Sequence, residues 1–290
     1  MILNNSKLRL LALVLVLSST LSACSSLPSL PSLSGDDSDK TEDAQTTETS
    51  PAEASDGVEN ADANEGETAP EPLTPEQLEE QALAAKAQNL IGTLNAFKLD
   101  KQQQTKLNSS QLRDVQTALD ELANEAPDKA LEAVQRVIND PDFIASPNSA
   151  VWVLRGDIYR ASKENDKAIS NYQTALKIVA SNYQAHNRLG LIYRDKGKFD
   201  LAKSHYTQAI EAWPGNADSY RNRGILFDLY VGDKTAALED YKIYKALLDF
   251  QIKSVESPAK SLLKEQKLAR QWILDIERQI KRLQREKANG

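Results

Sequence analysis

Residues that could carry catalysis or bind a metal are few and scattered in this sequence of 290 residues. The two histidines, His186 and His205, stand in none of the spacings that bind a metal, and the single cysteine, Cys24, lies far from both in the chain. Ser261 and Lys264 form a Ser-x-x-Lys pair, but its companion motifs are absent from the sequence. The sequence therefore predicts a protein that is not an enzyme and needs no metal or cofactor, with both histidines in structural roles.

Cys24 has the clearest chemistry, because of the sequence that precedes it. A basic start is followed by an unbroken apolar run at 10–17. This run is too short to span a bilayer, since a spanning helix takes ~20 residues. The run leads into Leu-Ser-Ala-Cys at 21–24, which resembles the lipobox of bacterial lipoproteins. The resemblance implies that residues 1–23 are a signal peptide and that Cys24 is lipidated.

A lipidated Cys24 would place the protein on a membrane of the cell envelope. Two or more acyl chains hold a protein stably at a bilayer, whereas one chain holds it only marginally. Ser25 and Ser26 follow the cysteine, and the absence of Asp there resembles the outer-membrane sorting pattern of Gram-negative lipoproteins. The resemblance implies a protein anchored at the outer membrane and facing the periplasm. The alternative is an ordinary secretory signal that ends near a chance cysteine.

Residues 24–73 are expected to form a disordered, acidic linker. Positions 25–72 hold thirteen acids and one base, with few apolar residues. Such a segment cannot bury enough apolar surface to offset its ordering entropy. The acids are scattered, which favours a tether over the alternative, an acidic binding tail. The part of the chain from 73 onward is nearly neutral, so nucleic acid is not an expected partner.

The part of the chain from residue 74 to the end is predicted to be helical. Thr74 can cap a helix whose first turn holds Pro75 and Gln77, which together match a capping box. After a polar interruption, apolar residues at helical spacing predict a degenerate pair of helices before residue 148. We therefore assign 74–148 to N-terminal helices that precede a more regular array.

Self-similarity at a period of 34 residues is the strongest pattern in the sequence. Within 149–250, the segments 149–182, 183–216 and 217–250 align with one another, the third only if one residue is inserted near 231–232. The matching positions hold Trp152, Gly156, Tyr159, Ala168, Tyr172 and Ala175 in the first segment, Leu189, Gly190, Tyr193, Ala202, Tyr206, Ala209 and Pro214 in the second, and Tyr220, Gly224, Phe227, Ala237 and Tyr241 in the third. These segments resemble tetratricopeptide repeats.

The resemblance implies an all-α fold, a solenoid in which each repeat contributes a helix A and a helix B. Small residues at the matching positions let the two helices approach closely, and the proline near the end of a repeat stops helix B. Arg155 and Arg223 depart from the pattern, because the family has Leu at their position. Tyr244 stands where the family has a small residue, so the array is expected to end after the third repeat.

Residues 251–290 are predicted to hold one last helix, which starts near Pro258. Its apolar residues alternate steps of four and three, a pattern that fits a helix capping the array and also a dimerising coiled coil. Two heptads are few for a coiled coil, which favours the cap. The coiled coil stays open as a route to a homo-oligomer.

Tetratricopeptide arrays bind proteins, and their helices A line a groove. The resemblance implies that Asp157, Asp218 and Asp228 face that groove together with seven residues that are candidates for binding a peptide: Arg160, Gln184, Asn187, Arg188, Arg194, Arg221 and Asn222. Arginine forks suit carboxylates, and asparagine suits a peptide backbone. Arg188 and Arg221 are expected to project into the groove from neighbouring helices A and to add little to stability. The alternative is a merely solvated face.

Two functions fit this organisation. The first is an envelope adaptor that captures a protein or an extended peptide in the groove and is held at the membrane by its lipid anchor. The second is a structural spacer that oligomerises through the C-terminal helix. Loss of partner capture in a folded groove variant would favour the adaptor, whereas self-association through 258–287 would favour the spacer.

Overall fold

The structure, a computed structural model, describes residues 72–93, 95–100 and 105–289. The expected signal peptide, Cys24 and nearly all of the acidic linker lie outside the described residues. Among the described helices, none has the length and apolarity to cross a membrane.

The described residues fold into helices joined by short turns. In chain order these are α1 (Pro75–Gly92), α2 (Ala96–Leu99), α3 (Ser109–Ala123), α4 (Pro127–Ile138), α5 (Pro141–Ala145), α6 (Ser149–Ala161), α7 (Asn165–Ile178), α8 (Tyr183–Asp195), α9 (Phe199–Ala212), α10 (Ala217–Ile225), α11 (Lys234–Lys253) and α12 (Lys260–Asn289). Helices α6, α8 and α10 are the helices A of the three repeats, and α7, α9 and α11 are the helices B. The pair α3 and α4 precedes them as the degenerate pair.

An asparagine caps helix A of every repeat. Asn148, Asn182 and Asn216 each accept a hydrogen bond from a backbone N–H in the first turn of the helix that follows. The Asn182 side chain also donates to Ser149 Oγ, 3.0 Å away at the start of the preceding repeat. Asparagine is among the best N-cap residues because its side-chain oxygen satisfies an otherwise free N–H. The caps recur at the repeat period and fix where each helix A begins.

A glycine and a tyrosine set the distance between helices A and B in all three repeats. A Cβ added at Gly156 would lie 2.4 Å from Tyr172, one at Gly190 would lie 2.5 Å from Tyr206, and the third repeat repeats the contact between Gly224 and Tyr241. No real Cβ approaches an aromatic ring so closely, so these rings pack directly on the backbone of helix A. The three tyrosines are almost completely buried.

The residue inserted in the third repeat is accommodated by a π-helical turn. α10 continues into one wider turn, Leu226–Val231, before Gly232 ends it with a φ of 80°. A π-turn takes one residue more than an α-turn, so the helix absorbs the extra residue. The turn leaves Leu229, Tyr230 and Val231 exposed, while Phe227 stays buried in the register of the other repeats.

The last helix, α12, packs antiparallel against α11. Ala269 and Ile276 are its buried residues, and Trp272 contacts the rings of Tyr241 and Tyr244 with centroids 5.3 and 6.5 Å away. The bulky Tyr244 is thus covered by an indole instead of the small-residue contact that another repeat would need. Most of the apolar stripe of α12 lies against the array, as in a cap.

The N-terminal helix α1 does not pack on the degenerate pair that follows it in the chain. It lies against α11, near the other end of the array, with Leu83, Ala87 and Leu90 in the same apolar cluster as Leu247. Lys242 Nζ binds Glu79 at 2.6 Å. Of the residues described between α1 and α3, α2 lies at the second repeat and Thr105 lies at the start of the first.

Two sets of contacts hold these described residues against the repeats. Phe97 of α2 meets Tyr183 edge to face at 5.5 Å, and Tyr183 meets Trp213 at 4.8 Å. Further along, the Asn148 side chain donates to the Thr105 carbonyl at 2.9 Å. The N-terminal segment therefore contacts the third, the second and the first repeat in turn.

Candidate protein-binding face

The seven residues expected to bind a peptide lie on α6, α8 and α10, the three helices A. We call the side of these helices that carries them the groove face. Arg160 lies on α6, Arg221 and Asn222 lie on α10, and the other four, Gln184, Asn187, Arg188 and Arg194, lie on α8. The seven residues are spread over a span of 63 positions in the sequence, from 160 to 222, and the structure places them on one row of neighbouring helices. Several of them bind each other or other residues of the array.

Arg188 is held by a carboxylate of the preceding repeat. Its Nε lies 2.9 Å from Oδ1 of Asp157, whose side chain is only 3% exposed. The same carboxylate oxygen accepts a hydrogen bond from the Tyr172 hydroxyl at 2.7 Å, and Arg160 Nε approaches it to 3.9 Å. The negative charge of Asp157 is the main cause that raises the pKa of the Arg188 guanidinium.

This geometry corrects the expectation that Arg188 adds little to stability. Removing its guanidinium would leave the buried charge of Asp157 with weaker compensation, and an uncompensated buried charge is strongly destabilising. The sequence placed Asp157 on the groove face, but its burial was not predicted because aspartate on a helix A surface has the pattern of an ordinary solvated residue. Only the register between α6 and α8 shows that it is covered.

The two asparagines at the centre of the groove face are paired with each other. Asn222 Nδ2 donates to Asn187 Oδ1 at 3.0 Å, and both side chains are buried. The expected hydrogen bonds to a peptide backbone would use only the groups that this pair leaves over. The bond joins α8 to α10, so it also fixes the stagger of the second and third repeats.

Arg221 is paired more loosely and meets the C-terminal helix. Its nearest carboxylate is Asp218 at 3.1 Å, a residue with a side chain 38% exposed, and Glu265 of α12 follows at 3.8 Å. Its guanidinium also lies 5.8 Å from the centre of the Tyr244 ring. α12 therefore closes one end of the groove face with an acidic residue.

Arg194 and Gln184 stand nearer the two ends of α8. Arg194 binds Asp195, its neighbour in sequence, at 3.0 Å, and its guanidinium lies 5.7 Å from the Tyr230 ring. The Asp195 side chain is 60% exposed, so solvent weakens this pair. Gln184 is half-buried in the first turn. Among the arginines of the groove face, Arg160 and Arg194 form the weakest interactions with the rest of the fold.

The arginines that replace Leu in the repeat pattern bind elsewhere. Arg223 forms a two-pronged pair with Asp240 of α11, at 2.9 and 2.8 Å. Burial raises the pKa of Asp240, and the bond from Arg223 acts against that rise. Arg155 donates to Gln135 of the degenerate pair at 2.9 Å. Both departures thus replace apolar contacts by polar bonds between helices.

The two histidines, 19 positions apart, form a pair that the sequence did not predict. Their Nδ1 atoms lie 3.1 Å apart, and His186 Nε2 lies 3.0 Å from the Ala180 carbonyl oxygen. If His186 is neutral and donates through Nε2 to this carbonyl, its Nδ1 accepts from the Nδ1–H of His205. Burial lowers the pKa of His205 to about 4, and His186 adds to that shift. Among the described residues, no third metal-binding side chain joins this pair.

Comparison with known proteins identifies the repeats. Residues 156–193 match a family model described as "TPR repeat", and residues 183–216 match one described as "Tetratricopeptide repeat". The predicted all-helical tetratricopeptide array is therefore confirmed, following an N-terminal region outside the described residues. Residues 156–216 of the chain therefore form tetratricopeptide repeats.

Two curated relatives are similar to part of this chain. Anaphase-promoting complex subunit 3 of Schizosaccharomyces pombe is 28% identical over 147 residues, which are 50% of this chain and 20% of that protein. Protein bimA of Emericella nidulans is 33% identical over 91 residues, 31% of this chain and 11% of that one. The chain thus spans a fifth or less of the length of these relatives. The solved structure of MamA from Desulfovibrio magneticus RS-1 covers 60% of this chain and 98% of its own, at 14% identity and a TM-score of 0.42.

Proposed function

We propose that this protein is a lipid-anchored scaffold of the bacterial cell envelope that captures an extended segment of a partner protein on its groove face. The repeats support protein binding in general. The observation that carries the proposal is the row of arginines and asparagines that α6, α8 and α10 place side by side. Arg160 and Arg194 offer donors that the fold leaves weakly engaged, and guanidinium groups bind carboxylates and backbone carbonyls well.

The membrane part of the proposal rests on the lipobox sequence that ends at Cys24. We expect Cys24→Ala to prevent lipidation, so that the protein no longer sediments with outer membranes. Fractionation of cells that carry the full chain, followed by blotting of soluble and membrane fractions, measures this. An unchanged membrane fraction would contradict the anchor and leave the binding face untouched.

The binding part is tested by photo-crosslinking on the full chain in intact envelopes. A photoreactive residue at Gln184 stands on the groove face, whereas one at Gln173 stands on the exposed side of α7 and serves as the control. We expect a discrete adduct from Gln184 and none from Gln173. Combining the probe with Arg160→Ala and Arg194→Ala should weaken capture by about a hundredfold or more, because hydrogen bonds to charged groups contribute ~1.5–3 kcal/mol each.

The same experiment separates the second candidate function, a spacer that oligomerises through α12. Leu263 and Leu274 remain exposed on that helix, although Ile276 and Ala269 of the heptad stripe are buried against the array. An adduct of twice the mass of the chain, formed from a probe at Leu274 and unaffected by the arginine changes, would favour the spacer. Equal adducts from Gln184 and Gln173 would reject the groove face as the binding surface.

A further inference from the structure

The three repeats present the same tyrosine hydroxyl to helix A, and two of the three hydroxyls bind an aspartate. Tyr172 donates to Asp157 at 2.7 Å in the first repeat. Tyr241 donates to Asp228 at 3.3 Å in the third. Tyr206 occupies the same position in the second repeat and packs on Gly190 as the other two pack on their glycines. Its hydroxyl is the exception.

The Tyr206 hydroxyl is buried and has no hydrogen-bond partner among the residues that the structure describes. The whole residue is 0% exposed. A buried hydroxyl without a partner costs about 1–3 kcal/mol in lost hydration, so native structures rarely retain one without a reason. In the second repeat the residue that corresponds to Asp157 is Leu191, which brings no acceptor.

The first repeat shows what this set of groups binds when a carboxylate is present. There the Asp157 carboxylate is surrounded by a tyrosine hydroxyl from helix B, by Arg160 of the same helix A, and by Arg188 of the next one. The tyrosine and one arginine are repeated in the second repeat, as Tyr206 and Arg194. The second repeat therefore retains these donors but has lost the acceptor.

Two arginines complete the surroundings of Tyr206. Arg194 stands at the repeat position of Arg160, and Arg221 comes from the next helix A, one position before that of Arg188. Burial raises the pKa of the Tyr206 hydroxyl. The positive charges of Arg194 and, to a smaller extent, Arg221 act against that rise, whereas the negative charge of Asp195 adds to it. The repeat register thus puts Arg194 where Arg160 stands beside the Asp157 carboxylate, with Arg221 on the adjoining helix A.

We propose that Tyr206, Arg194 and Arg221 form a subsite that takes a carboxylate side chain, Asp or Glu, of the captured segment, in the place that Asp157 occupies one repeat earlier. This inference rests on the proposed binding of a peptide to the groove face and gives it a chemical preference. Leu191 and Arg194 are partly exposed, so rotation of their side chains gives the ligand access. Arg194 exchanges its solvent-exposed partner Asp195 for the ligand.

Peptide libraries of matched composition test this subsite. The probes are fluorescent nonapeptide pools, acetylated and amidated, with the central residue fixed as Asp, Glu, Asn or Gln and with no other acidic residue. Fluorescence anisotropy with the full chain measures binding. We expect the Asp or Glu pool to bind about tenfold more tightly than its amide counterpart, since charge-assisted hydrogen bonds are the stronger kind.

Three variants make the test specific. Tyr206→Phe removes the unpartnered hydroxyl, and Leu191→Asp supplies an internal carboxylate like that of the first repeat. Each should reduce the acid-over-amide preference to about twofold or less, while thermal melts show that the array stays folded. Tyr172→Phe is the matched control, because its hydroxyl already serves Asp157, and it should keep the preference.

The outcomes separate this inference from the proposed function. Binding of all pools with equal affinity would overturn the carboxylate subsite and leave the groove face in place. A preference that persists in both Tyr206→Phe and Leu191→Asp would also overturn it, because the hydroxyl then holds only a water. If no pool binds, the proposed capture of extended segments fails, and the subsite fails with it.

Discussion

Gly190→Leu is expected to lower the free energy of unfolding by about 3 kcal/mol or more. A Cβ at this position would lie 2.5 Å from Cε1 and 2.6 Å from Cδ1 of Tyr206, and the ring cannot retreat because it is fully buried. Overpacking of a dense interior typically costs ~1–3 kcal/mol, and here the added group also separates α8 from α9. Urea denaturation followed by circular dichroism measures the change.

Gly92→Leu is the matched control for this prediction. It makes the same substitution at a glycine with no other group within 4 Å of the added Cβ, so we expect a change within about 0.5 kcal/mol. Gly156→Leu, which meets Tyr172 at 2.4 Å, should behave like Gly190→Leu. A urea denaturation curve of Gly190→Leu that matches wild type would show that the contact between glycine and tyrosine does not set the helix spacing.

The repeat array was predictable because its determinants are local and periodic. Gly190 and Tyr206 are 16 positions apart, and the same glycine and tyrosine recur in each repeat. The same packing contact can therefore be recognised three times in the sequence. The residue inserted in the third repeat was also visible in the alignment, because Gly224 and Tyr241 are one position further apart. Sequence could locate the insertion near 231–232, but only the structure shows that a π-turn absorbs it.

The position of α1 could not be predicted from the same sequence. Thr74, Pro75 and Gln77 begin the helix as expected, with both bonds of the capping box formed. Its apolar side chains, such as Leu83, predict only that the helix packs against another part of the protein. The choice of α11 depends on contacts across more than 150 positions, including the pair between Glu79 and Lys242. The periodicity of apolar residues within one helix does not show which other helix it packs against.

The sequence predicted which residues lie on the groove face, but it predicted only part of what they bind. Family positions placed Arg188 and Asn187 on the correct helix, but partners such as Asp157 and Asn222 come from neighbouring repeats. Whether a polar residue serves the fold or a ligand depends on the stagger of adjacent helices, which no residue type reveals. The unpartnered hydroxyl of Tyr206 was equally hidden, since the repeat pattern records a tyrosine and not its hydrogen bond.

Arg188→Ala is expected to lower the free energy of unfolding by about 2–3 kcal/mol. The change leaves the Asp157 carboxylate, 3% exposed, with the Tyr172 hydroxyl and a more distant Arg160. Breaking a buried ion pair from one side typically costs ~3–5 kcal/mol. The remaining donors and the 20% exposure of the Arg188 side chain reduce that figure. Urea denaturation of the single variant provides the measurement.

Arg221→Ala is the control on the same face. Its partner Asp218 is 38% exposed, and pairs open to solvent contribute only about 0–1 kcal/mol. A second test uses Asp157→Leu, which places at this position the residue that the second repeat has at Leu191. Added to Arg188→Ala, it removes the uncompensated charge, so the double variant should be more stable than Arg188→Ala alone. Equal losses for Arg188→Ala and Arg221→Ala, with no recovery in the double variant, would mean that Arg188 acts through its surface position and not through Asp157.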